Sequence, residues 1–346
     1  MIGLHCTIHS SIASINKTSW NQFILRSPFS SIYFRYEFLQ SIEEGTNFQP
    51  RHIVITKDGN IIGIFPNFIQ PIPNLPFNIL FSMNPGYAGP IIGKHEHQVI
   101  NLMIDQIKKI CTKTVLSHYI QTNQPGFIRY HHFLKEHGYK LNLRYSQSLI
   151  QLKHKNYQQI KKNYDRSKIH ELNKMKHKNI ELIHEPINQQ SLTLFHKGYK
   201  KTMQRVGGIA YPLTLLAALN KNLPNRFKLI KITYNNQTIG RKLYLIDTEQ
   251  QTLHAWILSI QPQHFKYYPS TLIHDYMIQW SIKNNLHTYD FGYTLADYHD
   301  GLFRYKQEFG TQQTPLLQWE KSYSPIPLKL IKKGGNLYKK IIKPKH

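Results

Sequence analysis

The sequence contains the stretch Ile53-Val-Ile-Thr-Lys-Asp-Gly-Asn-Ile-Ile-Gly63 and repeats it as Ile230-Lys-Ile-Thr-Tyr-Asn-Asn-Gln-Thr-Ile-Gly240. The two stretches share five identities in eleven positions, at an offset of 177 residues. β-Branched residues flank Asp-Gly in the first copy and Asn-Asn in the second, and these pairs tolerate the positive φ of a tight turn. Both copies therefore predict a β-hairpin.

Two weaker matches follow in the same order. Residues 102–119 correspond to 272–289 at an offset of 170, and Gly126-Phe-Ile-Arg-Tyr130 corresponds to Gly301-Leu-Phe-Arg-Tyr305 at an offset of 175. A chain of 346 residues also exceeds the size at which a single hydrophobic core stops growing. The matches and the length together predict two copies of one αβ domain.

The order of predicted strands and helices is mixed, which indicates an α/β (α+β) fold. We expect each domain to hold a mixed, mostly antiparallel sheet flanked by helices. The expected ranges are 1–150 for the N-terminal domain, 151–320 for the C-terminal domain and 321–346 for a basic tail. Apolar spacing predicts a single helix over 156–178 at the start of the second domain.

The charge is strongly positive, with 44 Lys and Arg against 19 Asp and Glu and a formal net charge of +25. Such a field favours polyanions such as RNA, anionic lipid headgroups or phosphorylated substrates. The alternative is a lysine-rich composition without a charged partner. The tail 321–346 holds eight lysines and no acid, which is typical of a segment on an anionic membrane or of a frayed terminus.

Several classes of protein are disfavoured by the sequence. The two cysteines, Cys6 and Cys111, form neither a disulfide framework nor a metal-ligand spacing. The 20 histidines show no convincing ligand pattern, so we expect no metal. The start of the sequence lacks the pattern of a secretory signal, and no window is apolar enough to span a bilayer. We therefore expect a cytoplasmic protein, with peripheral contact at the inner face of the membrane as an option.

Two segments near the end carry a family resemblance. Tyr289-Asp-Phe-Gly292 and Gly301-Leu-Phe-Arg-Tyr-Lys-Gln-Glu-Phe-Gly310 resemble the Fem-like branch of the GNAT acyltransferase superfamily. That branch includes aminoacyl-tRNA-dependent peptidoglycan-bridge ligases and relatives known as N-acetyltransferases. The similarity covers roughly 155–312 and implies two tandem GNAT-like domains, in agreement with the internal repeat.

The resemblance implies an N-acyltransferase that transfers an acyl or aminoacyl group to an amino group of a cell-envelope or glycan precursor. The donor it implies is acyl-CoA or aminoacyl-tRNA, and the acceptor is a small-molecule or lipid-linked glycan. Ordinary GNAT enzymes hold the coenzyme A pyrophosphate on a glycine-rich loop that opens a helix. The corresponding segment, Gln261–Ser270, has no such loop, which disfavours conventional acetyl-CoA binding.

The resemblance also implies the site. Lys306 matches a lysine of the transfer site that would stabilise the negative charge on the carbonyl oxygen or hold the donor, although a surface lysine is the plain alternative. Asp290, at a predicted strand end, would orient or deprotonate the acceptor amine, or instead cap the next turn. The expected substrate-binding residues are Arg205, Tyr268, Tyr293 and Tyr305.

A different function is compatible with the same composition. The net charge and the abundant aromatic residues also suit an RNA-binding protein with a degenerate transferase fold. A steep salt dependence of tRNA binding without any reaction product would distinguish this function from catalysis.

Overall fold

The computed structural model describes residues 3–73 and 75–324. The strands of this part of the chain are β1 (Leu4–His9), β2 (Gln49–Pro50), β3 (His52–Lys57), β4 (Asn60–Phe65), β5 (Phe68–Pro71), β6 (Asn78–Phe81), β7 (Ile91–Ile92), β8 (Val115–Thr122), β9 (Lys140–Asn142), β10 (Tyr145–Gln151), β11 (Ile180–Glu185), β12 (Phe227–Tyr234), β13 (Gln237–Asp247), β14 (Thr252–Ser259), β15 (Thr288–Leu295), β16 (Gln312–Pro315) and β17 (Leu317–Ser322). The α-helices are α1 (Lys17–Leu25), α2 (Tyr36–Gly45), α3 (Glu96–Ile110), α4 (His131–Glu136), α5 (Tyr157–Lys161), α6 (Arg166–Met175), α7 (Gln189–Arg205), α8 (Leu213–Asn222), α9 (Pro269–Lys283) and α10 (Gly301–Gln307).

These elements form two compact units. The first comprises the chain up to Phe29, Asn47–Asn142 and the described residues from Leu317 onward, and the second comprises Ser30–Thr46 and Leu143–Leu316. The first unit holds two sheets, of order β1-β3-β4-β7 and β2-β5-β6-β8-β17-β9, and the second holds one, of order β11-β12-β13-β14-β15-β10-β16. Neighbouring strands are antiparallel except for the pairs β6–β8 and β14–β15. The expected fold class, with mostly antiparallel sheets flanked by helices, is confirmed.

Both predicted hairpins are present. The turn residues have positive φ in each copy, +49° and +76° at Asp58 and Gly59 and +47° and +64° at Asn235 and Asn236. The strand register slips at equivalent positions, after Ile55 in the first hairpin and after Ile232 in the second. Because a slip of this kind belongs to the backbone rather than to residue identity, it extends the repeat beyond the five shared residues.

The units differ in their bounds from the predicted ranges 1–150 and 151–320. Residues 30–46 belong to the second unit, since the Ile32 N–H donates to the Asp247 carboxylate at 3.0 Å and α2 packs on α8. Strand β17 belongs to the first, since it pairs with β8 and β9. The predicted tail 321–346 therefore begins inside β17, and its residues 325–346 lie outside the described residues.

The helix predicted over 156–178 is instead two helices, α5 and α6. Asp165 lies between them and caps α6, because its carboxylate accepts the Ser167 N–H at 2.8 Å. The Asp165 N–H donates to the Glu308 carbonyl oxygen at 2.7 Å. The apolar period continued through this break, which is why the sequence pattern alone did not reveal it.

The sheet of the second unit has a buried apolar core on the side of α9. Tyr244, Tyr289, Phe291 and Phe309 are each at most 3% exposed and belong to this core. Successive strand residues point to opposite faces, so Asp290, next to Tyr289, lies on the other face.

In the described part of the chain, no helix is long and apolar enough to cross a membrane.

Gly45 allows the close packing of α2 against α8 within the second unit. A Cβ atom at this position would lie 2.7 Å from the Leu215 backbone nitrogen and closer still to its Cα. We expect Gly45→Ala to lower the free energy of unfolding by about 1–3 kcal/mol, because the helix backbones would have to separate. Urea denaturation measures this effect. Gly301→Ala, where a Cβ would meet nothing within 4 Å, is the control and should change stability little.

Candidate active site

The parallel strands β14 and β15 pair over only part of their length. Their register runs from Thr252–Thr288 to His254–Asp290, while β14 continues to Ser259 and β15 to Leu295. Both strands bulge where they part: the register of β14 with β13 skips Trp256, and that of β15 with β10 slips between Asp290 and Tyr293. The sheet therefore opens at this place, and unpaired strand edges are suited to hydrogen bonding with an extended ligand.

The corresponding strands of the first unit stay joined. There β6 and β8 pair from Asn78–Val115 to Phe81–Tyr119. Beyond that register the Ser82 N–H donates to the Tyr119 carbonyl oxygen at 2.8 Å, and Ala88 bridges to Gln121. The opening is thus a feature of the second copy.

Asp290 lies at the last position where β15 pairs with β14 and is 2% exposed. It is not at the end of its strand, where the sequence pattern predicted it, because β15 continues to Leu295 by pairing with β10. Its Oδ2 accepts hydrogen bonds from His254 Nδ1 at 2.7 Å and from Gln147 Nε2 at 2.8 Å. Its Oδ1 accepts the Gly292 N–H at 2.7 Å, the local contact that the capping alternative predicted. Three hydrogen bonds therefore fix the carboxylate at the end of the opening where β14 and β15 still pair.

His254 was not singled out from the sequence. Its Nε2 lies 3.7 Å from Asp247 Oδ2, too long for a hydrogen bond, so the imidazole sits between two carboxylates and bonds only that of Asp290. Burial alone would lower the pKa of His254, but the two carboxylates outweigh it and raise the pKa to about 9. His254 is thus an imidazolium near neutral pH. No motif marks it, and only the register places it opposite Asp290.

Lys306 of α10 is 5% exposed. Its ammonium donates to the carbonyl oxygens of Gly292 at 2.8 Å and Tyr293 at 3.0 Å. Gly292 therefore bonds both Lys306 and Asp290, and its φ of +76° is one that favours glycine. Burial lowers the pKa of Lys306 to about 8, against the opposing charges of Asp290 and Asp300. Among the described residues, no carboxylate oxygen lies within 4 Å of this ammonium.

The two expected aromatic residues next to this lysine are Tyr305, its neighbour in the chain, and Tyr293, whose carbonyl oxygen it bonds. The Tyr305 hydroxyl is 3.4 Å from Thr271 Oγ1, and the Lys168 ammonium lies 4.5 Å from the centre of the Tyr305 ring. Tyr293 is 48% exposed and packs edge-on against Tyr145. The structure therefore groups Asp290, Tyr293, Tyr305 and Lys306 around β15 and α10.

Arg205 and Tyr268 lie elsewhere, next to the short 3₁₀ segment Pro262–Tyr267. The exposed Arg205 guanidinium stacks 5.2 Å from the centre of the Phe265 ring. Tyr268 is the N-cap residue of α9, with φ of +51°, and its hydroxyl accepts a hydrogen bond from Lys174 at 3.3 Å. In the described part of the chain, neither side chain forms a hydrogen bond with Lys306 or Asp290.

The described residues contain no group of three or more His, Cys, Asp or Glu side chains that could hold a metal ion. The site instead combines an opened strand pair, a buried ion pair and a buried ammonium. Such an arrangement can position an extended ligand and stabilise negative charge that develops on it.

Comparison with known proteins shows which folds the chain resembles. Residues 163–307 match the model of the acetyltransferase (GNAT) domain. FemX has 12% sequence identity and a TM-score of 0.69, covering 94% of this chain and 99% of its own. A tandem GNAT protein of the clavulanic acid biosynthesis pathway has 8% identity and a TM-score of 0.59, covering 93% and 99%.

A third similar structure is L-PGS from Bacillus licheniformis, with 8% identity, a TM-score of 0.55 and coverage of 91% and 94%. No curated protein matches the chain significantly in sequence. At these identities the solved structures show a shared fold. Residues 163–307 thus match the acetyltransferase (GNAT) domain, and the expected GNAT fold is confirmed, while the likeness to FemX and to the tandem GNAT protein is one of fold.

Proposed function

We propose that the protein is an N-acyltransferase that transfers an acyl or aminoacyl group to an amino group of a cell-envelope or glycan precursor, such as a peptidoglycan intermediate. The observation that carries the proposal is the separation of β14 from β15 beside the buried ammonium of Lys306. The unpaired strand edges would bind the extended arm of the donor. The reacting carbonyl would then lie where a positive charge is already fixed.

Lys306 has the central role in this proposal. As the acceptor amine attacks, the carbonyl oxygen gains negative charge, and the ammonium of Lys306 stabilises it. Gly292 and Tyr293 hold that ammonium in place through their carbonyl oxygens. Because the site is buried, this interaction is stronger than it would be in water.

In this mechanism Asp290 acts mainly by fixing the positions of Gly292 and His254. It orients Gly292 and is paired with His254, so that it fixes the closed end of the opening. The expected substrate-binding residues keep their proposed roles. Tyr293 and Tyr305 would border the reacting groups, while Arg205 and Tyr268 would contact more distant parts of a substrate.

The donor is proposed as acyl-CoA or aminoacyl-tRNA, and the acceptor as a small-molecule or lipid-linked glycan amine. The net charge of +25 suits either a tRNA or a phosphorylated acceptor. It also suits peripheral contact of a cytoplasmic protein with the anionic inner face of the membrane.

The proposal is tested by incubating the protein with amino-group acceptors and one donor at a time. The acceptors are aminosugars and peptidoglycan precursors, and the donors are acetyl-CoA, longer acyl-CoA esters and aminoacyl-tRNA. Mass spectrometry should show an added acyl or aminoacyl mass on one acceptor. If tRNA binds with a steep salt dependence and no donor yields a product, the RNA-binding alternative replaces the proposal.

A further inference from the structure

A second buried lysine of the same unit has no anionic partner. Lys242 of β13 is 6% exposed, and among the described residues no carboxylate oxygen lies within 4 Å of its ammonium. Lys168, which is 2% exposed, shows the usual arrangement: its ammonium lies 2.7 Å from Glu171 and 3.0 Å from Glu308. A buried charge without a partner is energetically costly, so a contribution to stability does not explain why a lysine is buried at position 242.

Lys242 is held by a chain of hydrogen bonds. Its Nζ is 3.0 Å from His274 Nε2, His274 Nδ1 is 2.6 Å from the Tyr289 hydroxyl, and that hydroxyl is 3.1 Å from the Tyr244 hydroxyl. Burial, together with nearby lysine charges, holds the pKa of His274 well below 6.5, so the imidazole is neutral.

An ammonium can only donate, so a protonated Lys242 donates to Nε2 of His274 and Nδ1–H donates to Tyr289. The neutral amine of Lys242 can keep the same bond. Its lone pair then has no partner among the described residues.

The two lysines lie on opposite sides of the opening. Lys242 pairs in register with Leu258 on the separated part of β14, and Lys306 bonds Gly292 and Tyr293 on the separated part of β15. Lys242 lies on the α9 side of the sheet, since its ammonium contacts His274, and the charge of Lys306 also acts on His274. Burial, and then the positive charge of Lys306, lower the pKa of Lys242 to about 7.

The titratable groups that surround Lys242 favour its neutral form. They are His274 on α9, Tyr289 on β15, Lys306 on α10 and Tyr244 on the same strand, with Lys168 of α6 acting on His274. None of them is a carboxylate. Asp290 and Asp300 act to raise the pKa of Lys306, whereas no carboxylate does so for Lys242, so Lys242 is the lysine that more readily gives up its proton.

We propose that Lys242 accepts the proton of the acceptor ammonium, directly or through one water molecule, in the acyl transfer proposed above. The Lys242 amine takes one proton, and the freed acceptor amine forms a bond to the donor carbonyl carbon while Lys306 stabilises the oxyanion. The bond from that carbon to the leaving sulfur or oxygen then breaks. The second amine proton passes to the leaving group, and Lys242 releases the first to water. This role deepens the proposed function and rests on it.

Two measurements test the inference. The first follows the ¹³Cε resonance of Lys242 against pH in lysine-labelled protein, assigned by its loss in Lys242→Met, and the expected midpoint is near 7. The second measures kcat and KM against pH with the donor and acceptor that give product. Lys242→Met should lower kcat about 100-fold and abolish the rise of the rate through pH 7, with KM little changed.

Lys231→Met is the matched control, since Lys231 lies on the neighbouring strand β12 and pairs with Arg241 rather than facing α9. It should leave kcat and the pH profile unchanged. A Lys242 midpoint near the ordinary value of 10.5, or a Lys242→Met variant that keeps the rise through pH 7, overturns the inference while an active wild type leaves the proposed function standing. A wild type that forms no product with any donor overturns both.

Discussion

Lys306→Ala is expected to lower the rate of acyl transfer by about 10²- to 10³-fold, the range found when one donor to a developing oxyanion is removed. The ammonium is 5% exposed, and two carbonyl oxygens fix it beside the opening between β14 and β15. Alanine leaves no positive charge there, and a water molecule would stabilise the oxyanion less well than an ammonium that is already held in position. Steady-state kinetics should show the loss in kcat, with the KM for the donor changed much less.

The pH dependence of the transfer rate also tests the role of Lys306. Lys306 must be protonated to stabilise the oxyanion, and its pKa is lowered to about 8. The wild-type rate should therefore decline as the pH rises above about 8. Lys306→Arg, whose guanidinium stays charged, should move that decline to higher pH even where its geometry lowers the rate.

The control for Lys306 is Lys283→Ala, which removes an exposed lysine at the end of α9 and should leave the rate unchanged. Circular dichroism of Lys306→Ala checks that the loss of two carbonyl contacts has not unfolded the protein. An observed activity that survives both Lys306→Ala and Asp290→Asn would show that this site is not where the chemistry occurs.

Asp290→Asn is expected to lower the free energy of unfolding by about 3–5 kcal/mol, because it removes one partner of a buried ion pair. His254 would lose the carboxylate that lies 2.7 Å from Nδ1, so it would be buried either as a poorly paired cation or as an imidazole that has given up its proton. The bonds from Gln147 and Gly292 to the same carboxylate would also change. Urea denaturation of the two proteins at pH 6 measures the difference.

The pH dependence of stability identifies the ion pair as the cause. The pKa of His254 rises from 6.5 to about 9 on folding, so folding favours the protonated imidazole. This contribution, roughly 3 kcal/mol at 1.36 kcal/mol per pKa unit, is complete below pH 6.5 and is lost as the pH rises through 9. The stability gap between wild type and Asp290→Asn should therefore narrow from pH 6 to pH 9.5.

Asp297→Asn serves as the control, since this carboxylate pairs with His299 at 3.3 Å but both side chains are more than half exposed. An exposed pair contributes little, so the variant should unfold at nearly the same urea concentration as the wild type. A gap for Asp290→Asn that stays constant with pH would show that His254 is not charged in the folded protein.

Local features were predictable because they depend on neighbouring residues. Asp58-Gly59 and Asn235-Asn236 readily adopt positive φ, so the two hairpins followed from these turn residues and the β-branched residues that flank them. Amphipathic spacing placed a helix at 97–112, close to the observed α3 (Glu96–Ile110). The motif around Lys306 likewise indicated a GNAT-type fold, since it covers one strand, one turn and one short helix.

The grouping of elements was not predictable in the same way. Residues 30–46 and β17 exchange places between the predicted domains because strand pairing and helix packing join segments far apart in the chain. The sequence carries no local signal for such a partner. The break between α5 and α6 depends partly on a bond from Asp165 to the carbonyl of Glu308, more than 100 residues away.

The sequence by itself determined the internal repeat, the two hairpins and the mixed strand and helix order, and its motifs pointed to Asp290 and Lys306. The tertiary structure alone decided that β14 and β15 separate beside them, that His254 pairs with Asp290, and that Lys242 lies buried against His274. The physical reason is that lysines are normally exposed, so in a chain with 44 lysines and arginines the sequence does not show which few become buried. Burial next to a chosen neighbour, which no local pattern encodes, then gives those few their altered chemistry.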